Sequence, residues 1–128
     1  MERLLAAPLL ALFLSQAGCA GEVTPESTGA LSVHLTPDAA ITRGSNNFTM
    51  TIRAGALAPT KDKTNVEVIV WMPSMGHGAP NDPTLVEKGD GNYRVEDVYF
   101  SMPGTWELTV NVTSDRGNGS QTFTYEIP

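Results

Sequence analysis

Residues 71–78 (WMPSMGHG) hold the side chains whose types and spacing could do chemistry. Met72 and Met75 stand three residues apart, and His77 follows between two glycines that leave the backbone free to turn. A fourth candidate, Met102, lies in a later Met-Pro-Gly segment. Thioether sulfur and imidazole nitrogen suit Cu(I), whereas zinc prefers thiolate, imidazole or carboxylate. The sequence therefore predicts a metal site for copper, Cu(I), at Met72, Met75, His77 and Met102.

The same segment has an explanation without metal. Met72 continues the apolar alternation of residues 66–70, and methionine fills irregular gaps in a core well. Trp71 falls on the opposite face and predicts an apolar patch on the outer surface, as at many contact sites. The loop of residues 72–82 would then contact a protein partner. A copper module and a metal-free protein-protein interaction module both stay open at this point.

Catalysis is not expected from this chain. It has only two histidines, His34 and His77, and neither stands in a recognisable nucleophile triad. The aspartates lack the spacing of a calcium loop, and no glycine-rich phosphate loop is present. His34 lies near the end of the first predicted strand and is an outlying candidate ligand.

The first residues predict export. Residues 4–14 form an uncharged apolar run, and small residues follow up to Cys19, as in a secretory signal peptide. Such a run is too short to span a bilayer, which takes about 20 apolar residues. Cys19 follows Ala-Gly as in a bacterial lipobox, although Gln16 replaces the usual leucine. We expect a lipoprotein-type signal peptide at residues 1–18, lipidation at Cys19, and a polar tether at residues 19–29. Ordinary cleavage nearby is the alternative.

Charge limits the partners. The chain carries a formal net charge of −6 and shows no basic cluster. An acidic domain of this kind is a poor partner for nucleic acid and for anionic lipid surfaces. The expected partners are a membrane, reached through the lipid anchor, and a protein of the cell envelope. The expected location is the cell envelope, with the domain facing the periplasm or the cell surface.

Period-two alternation runs through most of residues 30–128. Five segments alternate apolar and polar residues regularly, a sixth alternates with one interruption, and residues 84–88 form a polar candidate for a short edge strand. Clusters rich in Gly, Asn and Asp separate several of these segments. The segment near residues 93–100 changes parity at residues 96–97, which predicts a bulge. About seven short strands at this spacing predict an all-β fold, an immunoglobulin-like antiparallel β-sandwich.

Three segments resemble the YtkA-like domain family of small exported bacterial proteins. They are residues 72–78 (MPSMGHG), residues 91–93 (GNY) and residues 100–106 (FSMPGTW). The resemblance implies a small β-sandwich outside the cytoplasm. It also implies a link to copper handling and oxidase assembly, which some relatives have.

The order of the strands places the loops. If successive strands alternate in direction, the loop of residues 72–82 and the turn of residues 102–104 lie at the same end of the sandwich. Loops carried by a rigid sandwich are a usual place for function. This argument predicts that Met72, Met75, His77 and Met102 converge.

The lipid anchor gives the first test. Replacing Cys19, the only cysteine, with Ser should leave the full chain unlipidated and move it from the detergent phase to the aqueous phase. The physical reason is that the acyl chains supply the membrane affinity. Phase partitioning of wild type and Cys19→Ser measures this, and equal partitioning of the two would contradict it.

Overall fold

The protein, as seen in a computed structural model that describes the backbone of residues 26–128 and the side chains of residues 30–128, is built from antiparallel strands. A single 3₁₀ turn, Lys61–Lys63, interrupts the strands of this part of the chain. The strands are β1 (Glu26–Gly29), β2 (Ser32–Pro37), β3 (Gly44–Arg53), β4 (Asn65–Met72), β5 (His77–Gly78), β6 (Thr84–Gly89), β7 (Asn92–Phe100), β8 (Gly104–Ser114) and β9 (Gly117–Ile127).

Two sheets face each other, with strand orders β1-β9-β8-β4-β5 and β2-β3-β7-β6. The predicted all-β, immunoglobulin-like antiparallel sandwich is confirmed. Each of the seven predicted strands is present, and β1 and β5 are additional. Both escaped prediction because neither alternates in hydrophobicity: β1 is polar or glycine throughout, and β5 has two residues that pair only because β4 turns back on itself.

The domain begins earlier than the predicted boundary at residue 30. Glu26–Gly29, the end of the predicted tether, pairs with β9 and extends the five-stranded sheet. The predicted signal peptide, Cys19 and the first part of the tether lie outside the described residues. Within residues 26–128, no helix is long and apolar enough to cross a membrane.

The core confirms the predicted facing of the strands. The side chains that alternate inward on β8 have no exposed surface at Trp106, Leu108 and Val110. Opposite them, the second sheet buries Phe48 and Phe100 completely. Burial of such side chains is the main favourable contribution to folding.

The predicted bulge lies where the parity changes. Strand β3 pairs Asn46 with Val98 but Phe48 with Val95, so β7 has one residue more than β3 in this interval. Asp97 adopts a φ of 59°, and its N–H donates to the Asn47 side chain at 3.1 Å. The extra residue returns Val98 to the same face as Val95, and both are fully buried.

Burial of Tyr125 yields a prediction about alkaline stability. Desolvation raises the pKa of Tyr125 to about 12, because its ring packs against Phe48 and Phe100. The unfolded chain releases this proton near pH 10, whereas the folded chain retains it up to about pH 12. Stability from this group is therefore present below pH 10 and is lost as the pH rises toward 12.

Urea unfolding at pH 9 and pH 11 measures this loss. Tyr125→Phe keeps the ring and removes the ionisable hydroxyl, so its unfolding free energy should fall less between the two pH values than that of the wild type. An identical fall in both proteins would contradict the assignment.

Candidate functional site

A tight turn at the end of β4 places His77 beside Met72. The N–H groups of Met75 and Gly76 both donate to the Met72 carbonyl, at 3.2 and 3.0 Å. Gly76 has a φ of 65°, a conformation that favours glycine. The chain thereby reverses, and β5 pairs Met72 directly with His77. Residues directly opposite in an antiparallel pair share a face, so both side chains lie on the face toward the second sheet.

Met72, His77 and the turn of residues 102–104 enclose a corner of the sandwich, and Trp106 forms its floor. It is fully buried, and its indole N–H donates to the Met102 carbonyl at 3.0 Å. The His77 ring meets the indole edge-on, with 5.9 Å between ring centroids. Phe100 packs on Trp106 at a centroid distance of 5.5 Å. One buried side chain therefore contacts both β5 and the turn before β8.

Met72 extends toward that same turn. A Cβ built on Gly104 would lie only 2.6 Å from Met72 Cε, so the methyl group occupies the space that a larger residue would need. Met72 itself is 4% exposed, and Met102 is half-buried against the core. The prediction from strand direction, that residues 72–82 and residues 102–104 lie at the same end of the sandwich, was therefore right.

The His77 ring is held in a defined orientation. Its Nδ1 lies 3.1 Å from the Gly78 carbonyl oxygen. A carbonyl oxygen can only accept, so Nδ1 carries the proton in this contact. In the neutral ring the lone pair is then on Nε2. A backbone carbonyl that orients imidazole in this way is a common feature of histidine ligands, and it also occurs in histidines without metal.

Two candidates stand apart from the corner. Met75 occupies the tip of the turn and is 56% exposed. His34 pairs with Thr51 in the other sheet and alternates with buried Val33, so it lies on the outer face of that sheet. The structure thus brings the His77 ring and the Met102 carbonyl to Trp106 and pairs Met72 with His77, whereas Met75 is exposed on the turn and His34 lies on the other sheet.

Two contacts of this arrangement were absent from the sequence prediction, that of Trp106 with the His77 ring and that of Trp106 with the Met102 carbonyl. The four-residue spacing from Met102 to Trp106 was the available signal. Among the described residues, no group of three or more His, Cys, Asp or Glu side chains is placed to hold a metal ion.

Comparison with known proteins gives one match. A family model described as YtkA-like matches residues 27–111, about two thirds of the chain. The matched region contains β2 to β7 and much of β8, and so includes every residue of the corner. Comparisons with curated proteins and with solved structures returned no match.

The contact between Gly104 and Met72 yields a prediction. Gly104→Ala should push the Met72 methyl group aside, because this end of the side chain is flexible and can move without disrupting the core. The control is Gly89→Ala, since Gly89 also has a positive φ, 91°, but has open space around its Cβ position. The free energy of unfolding of both variants should fall by about 1–3 kcal/mol because of backbone strain.

Only Gly104→Ala should shift the Met72 methyl resonance in a spectrum of methyl-labelled methionine. An unchanged Met72 resonance in Gly104→Ala, or an equal shift in both variants, would contradict this packing.

Proposed function

The chain belongs to the YtkA-like family, and on that premise we propose that it is an exported, lipid-anchored binding protein that holds or delivers Cu(I). The proposed ligands are His77, Met72 and Met102 at the corner between β4, β5 and the turn before β8, together with Met75 on the adjacent exposed turn. The proposed location is the cell envelope, with Cys19 as the lipidated residue. The proposed activity is binding without catalysis, and nucleic acid is not among the proposed partners.

The orientation of His77 is the observation that carries the proposal. The Gly78 carbonyl fixes the proton on Nδ1 and leaves Nε2 as the electron-pair donor. The ring stands against Trp106, and its partner across the β ladder is Met72. A histidine that is already oriented loses little side-chain freedom when a ligand binds, which supports a binding role.

Thioethers supply the remaining proposed donors. Met72 is buried and Met102 is half-buried, whereas Met75 is exposed on the turn and would be the first donor that an ion from solvent meets. Thioether and neutral imidazole are soft or intermediate donors, which favours Cu(I) over harder cations. All four ligands are uncharged, so the charge of the ion would not be cancelled within the site, as suits a carrier that must release its cargo.

A second candidate function rests on exposed apolar side chains. Trp71 is 42% exposed on the outer face of β4, and Met75 is 56% exposed at the adjacent turn. Tryptophan and methionine are enriched in protein interfaces. In this alternative the loop of residues 72–82 contacts an envelope protein without metal, and the orientation of His77 serves only the turn.

Anaerobic Cu(I) titration against a competing chelator separates the two functions. His77→Ala and Met75→Leu should each weaken Cu(I) by about tenfold or more, since removing even a supporting residue of a metal site commonly costs that much. Met75→Leu keeps apolar volume, so a metal-free contact surface should tolerate it.

The chain provides matched controls for both substitutions. His34→Ala removes an exposed histidine from the other sheet, and Met50→Leu alters a fully buried methionine away from the corner. Neither should change copper affinity. If the wild type binds Cu(I) no more tightly than a variant with Met72, Met75 and Met102 all replaced by Leu, the copper function is wrong and the metal-free module replaces it.

A further inference from the structure

Strand β4 has an open edge along most of its length. It pairs with β8 from Asn65 to Trp71, but its other neighbour, β5, has two residues and covers only Trp71 and Met72. Among the described residues, no strand pairs with the other side of β4 between Asn65 and Ile69. Five residues of strand, about 16 Å at 3.3 Å per residue, therefore present an unpaired edge.

The direction of the backbone groups follows from two hydrogen bonds. The Val70 carbonyl accepts from Ala79 N–H at 3.4 Å, and the Met72 carbonyl accepts from Gly76 N–H. Both carbonyls thus point away from β8. In an antiparallel ladder the N–H and C=O of one residue point to the same side, and the side alternates with period two. The N–H and C=O groups of Val66 and Val68 therefore point to the open edge.

A groove of about 400 Å³ runs along this edge. It lies between β4 and the segment that leads from β5 into β6, and its lining includes Val66, Val68 and Leu85. These three side chains are half-buried, whereas Val110 and Val112, which pair with Val68 and Val66 on β8, are buried. An additional strand would cover the apolar surface that β4 leaves exposed.

The edge strand β6 of the other sheet is better protected than β4. Strand β6 carries Glu87 and Lys88, follows Pro83, and has a register irregularity before Gly89. Charges, proline and irregular pairing are the usual means of blocking strand addition. Strand β4 has one charged residue, Glu67, and no proline. Its edge lacks most of the features that discourage a further strand.

Charge indicates what the added strand should contain. The ionisable residues that line the groove are Glu67 and Asp82, both acidic and both exposed. One oxygen of Glu67 accepts from the Asn111 side chain at 3.2 Å, and the carboxylate remains on the outer face of the sheet. A strand beside β4 would place one set of residues over Val66 and Val68 and the alternate set beside Glu67.

A second copy of this chain fits the edge poorly. Symmetric antiparallel pairing about Glu67 would set two glutamates directly opposite each other, which is destabilising. Symmetric pairing about Val68 would set Val66 against Val70 of the other copy, where the Val70 carbonyl is already bonded to Ala79. A basic partner meets neither obstacle.

We propose that the open edge of β4 is a docking site for an extended segment of a partner protein with alternating apolar and basic residues. The segment adds as an antiparallel strand beside β4, in line with β5. Its apolar residues pack on Val66, Val68 and Leu85, and its basic residues lie beside Glu67 and Asp82. Backbone hydrogen bonds to Val66 and Val68 supply the part of the affinity that does not depend on the partner's sequence. The charges supply selectivity, as side-chain contacts do in other cases of strand addition.

A synthetic peptide tests this proposal on the full chain without metal. The probe is an acetylated and amidated seven-residue peptide of alternating lysine and valine. Saturating peptide should slow hydrogen exchange of the Val66 and Val68 amides by about tenfold or more, because both N–H groups become bonded. In antiparallel pairing the peptide valines lie directly opposite Val66 and Val68, so the backbone N–H groups of the valines bond to β4 and those of the lysines point away from it. Methylating the backbone nitrogens of the valines should therefore abolish binding, whereas methylating the backbone nitrogens of the lysines should preserve it.

Substitutions test the charge requirement. Glu67→Lys should lower the affinity for the lysine-valine peptide by about fivefold and raise the affinity for a glutamate-valine peptide. Asp62→Lys makes the same charge change on the 3₁₀ turn, outside the groove, and should have no such effect. Circular dichroism of both variants is the check that each retains the β-fold.

Three results would overturn the proposal. They are unchanged exchange of the Val66 and Val68 amides, equal effects of the two methylated peptides, and equal effects of Glu67→Lys and Asp62→Lys. Concentration-dependent protection of the same amides without peptide would instead assign the edge to a second copy. Because the assay contains no copper, its outcome leaves the metal proposal unaffected.

Discussion

The buried indole of Trp106 is the interaction on which the candidate site at one end of the sandwich depends. A ring of this size contributes strongly to a core, but its N–H must find an acceptor once water is excluded. That acceptor is the Met102 carbonyl, at 3.0 Å. The turn before β8 is thereby tied to the interior, and Gly104, the first residue of β8, lies against the Met72 methyl group. The same ring forms a T-shaped pair with His77, so three chain segments share one anchor.

The two ends of strand β4 have different neighbours because β5 is short. At its end, the turn through Gly76 gives Met72 a partner and encloses a corner with a histidine and methionines. Before that end, the strand has no neighbour on one side within the described residues. The same two-residue strand therefore leaves the edge open over residues 65–69. The copper proposal and the strand-docking proposal use adjacent parts of one strand and different chemistry: side-chain donors in one case, backbone groups in the other.

The sandwich also depends on contacts that cross between its sheets. Gln121 on β9 is buried, and its side-chain oxygen accepts from the Val33 N–H at 3.1 Å. Phe100 on one sheet packs on Trp106 of the other. The bulge at Asp97 makes the second contact available, because without the extra residue Phe100 would point outward. An irregularity in β7 is thus a requirement for the packing that supports the corner.

Much of this fold could be predicted from the sequence, because alternation with period two directly determines which face of a strand is buried. The inward positions of Val70 and Met72, the outward position of Trp71, and the bulge at residues 96–97 all followed from parity. Strand direction alone placed the loop after Met72 and the turn at Met102 at the same end. The candidate residues were likewise chosen from side-chain chemistry, and their types needed no structure.

Only the tertiary structure decided which candidates meet and how they are oriented. The pairing of His77 with Met72 depends on how the turn closes, and the separation of Met75 depends on which side of that turn it occupies. The role of Trp106 and the open edge of β4 are likewise products of pairing between distant segments. Local alternation fixes the face on which a side chain lies, but distances within a site depend on register, turn geometry and packing, which no single segment contains.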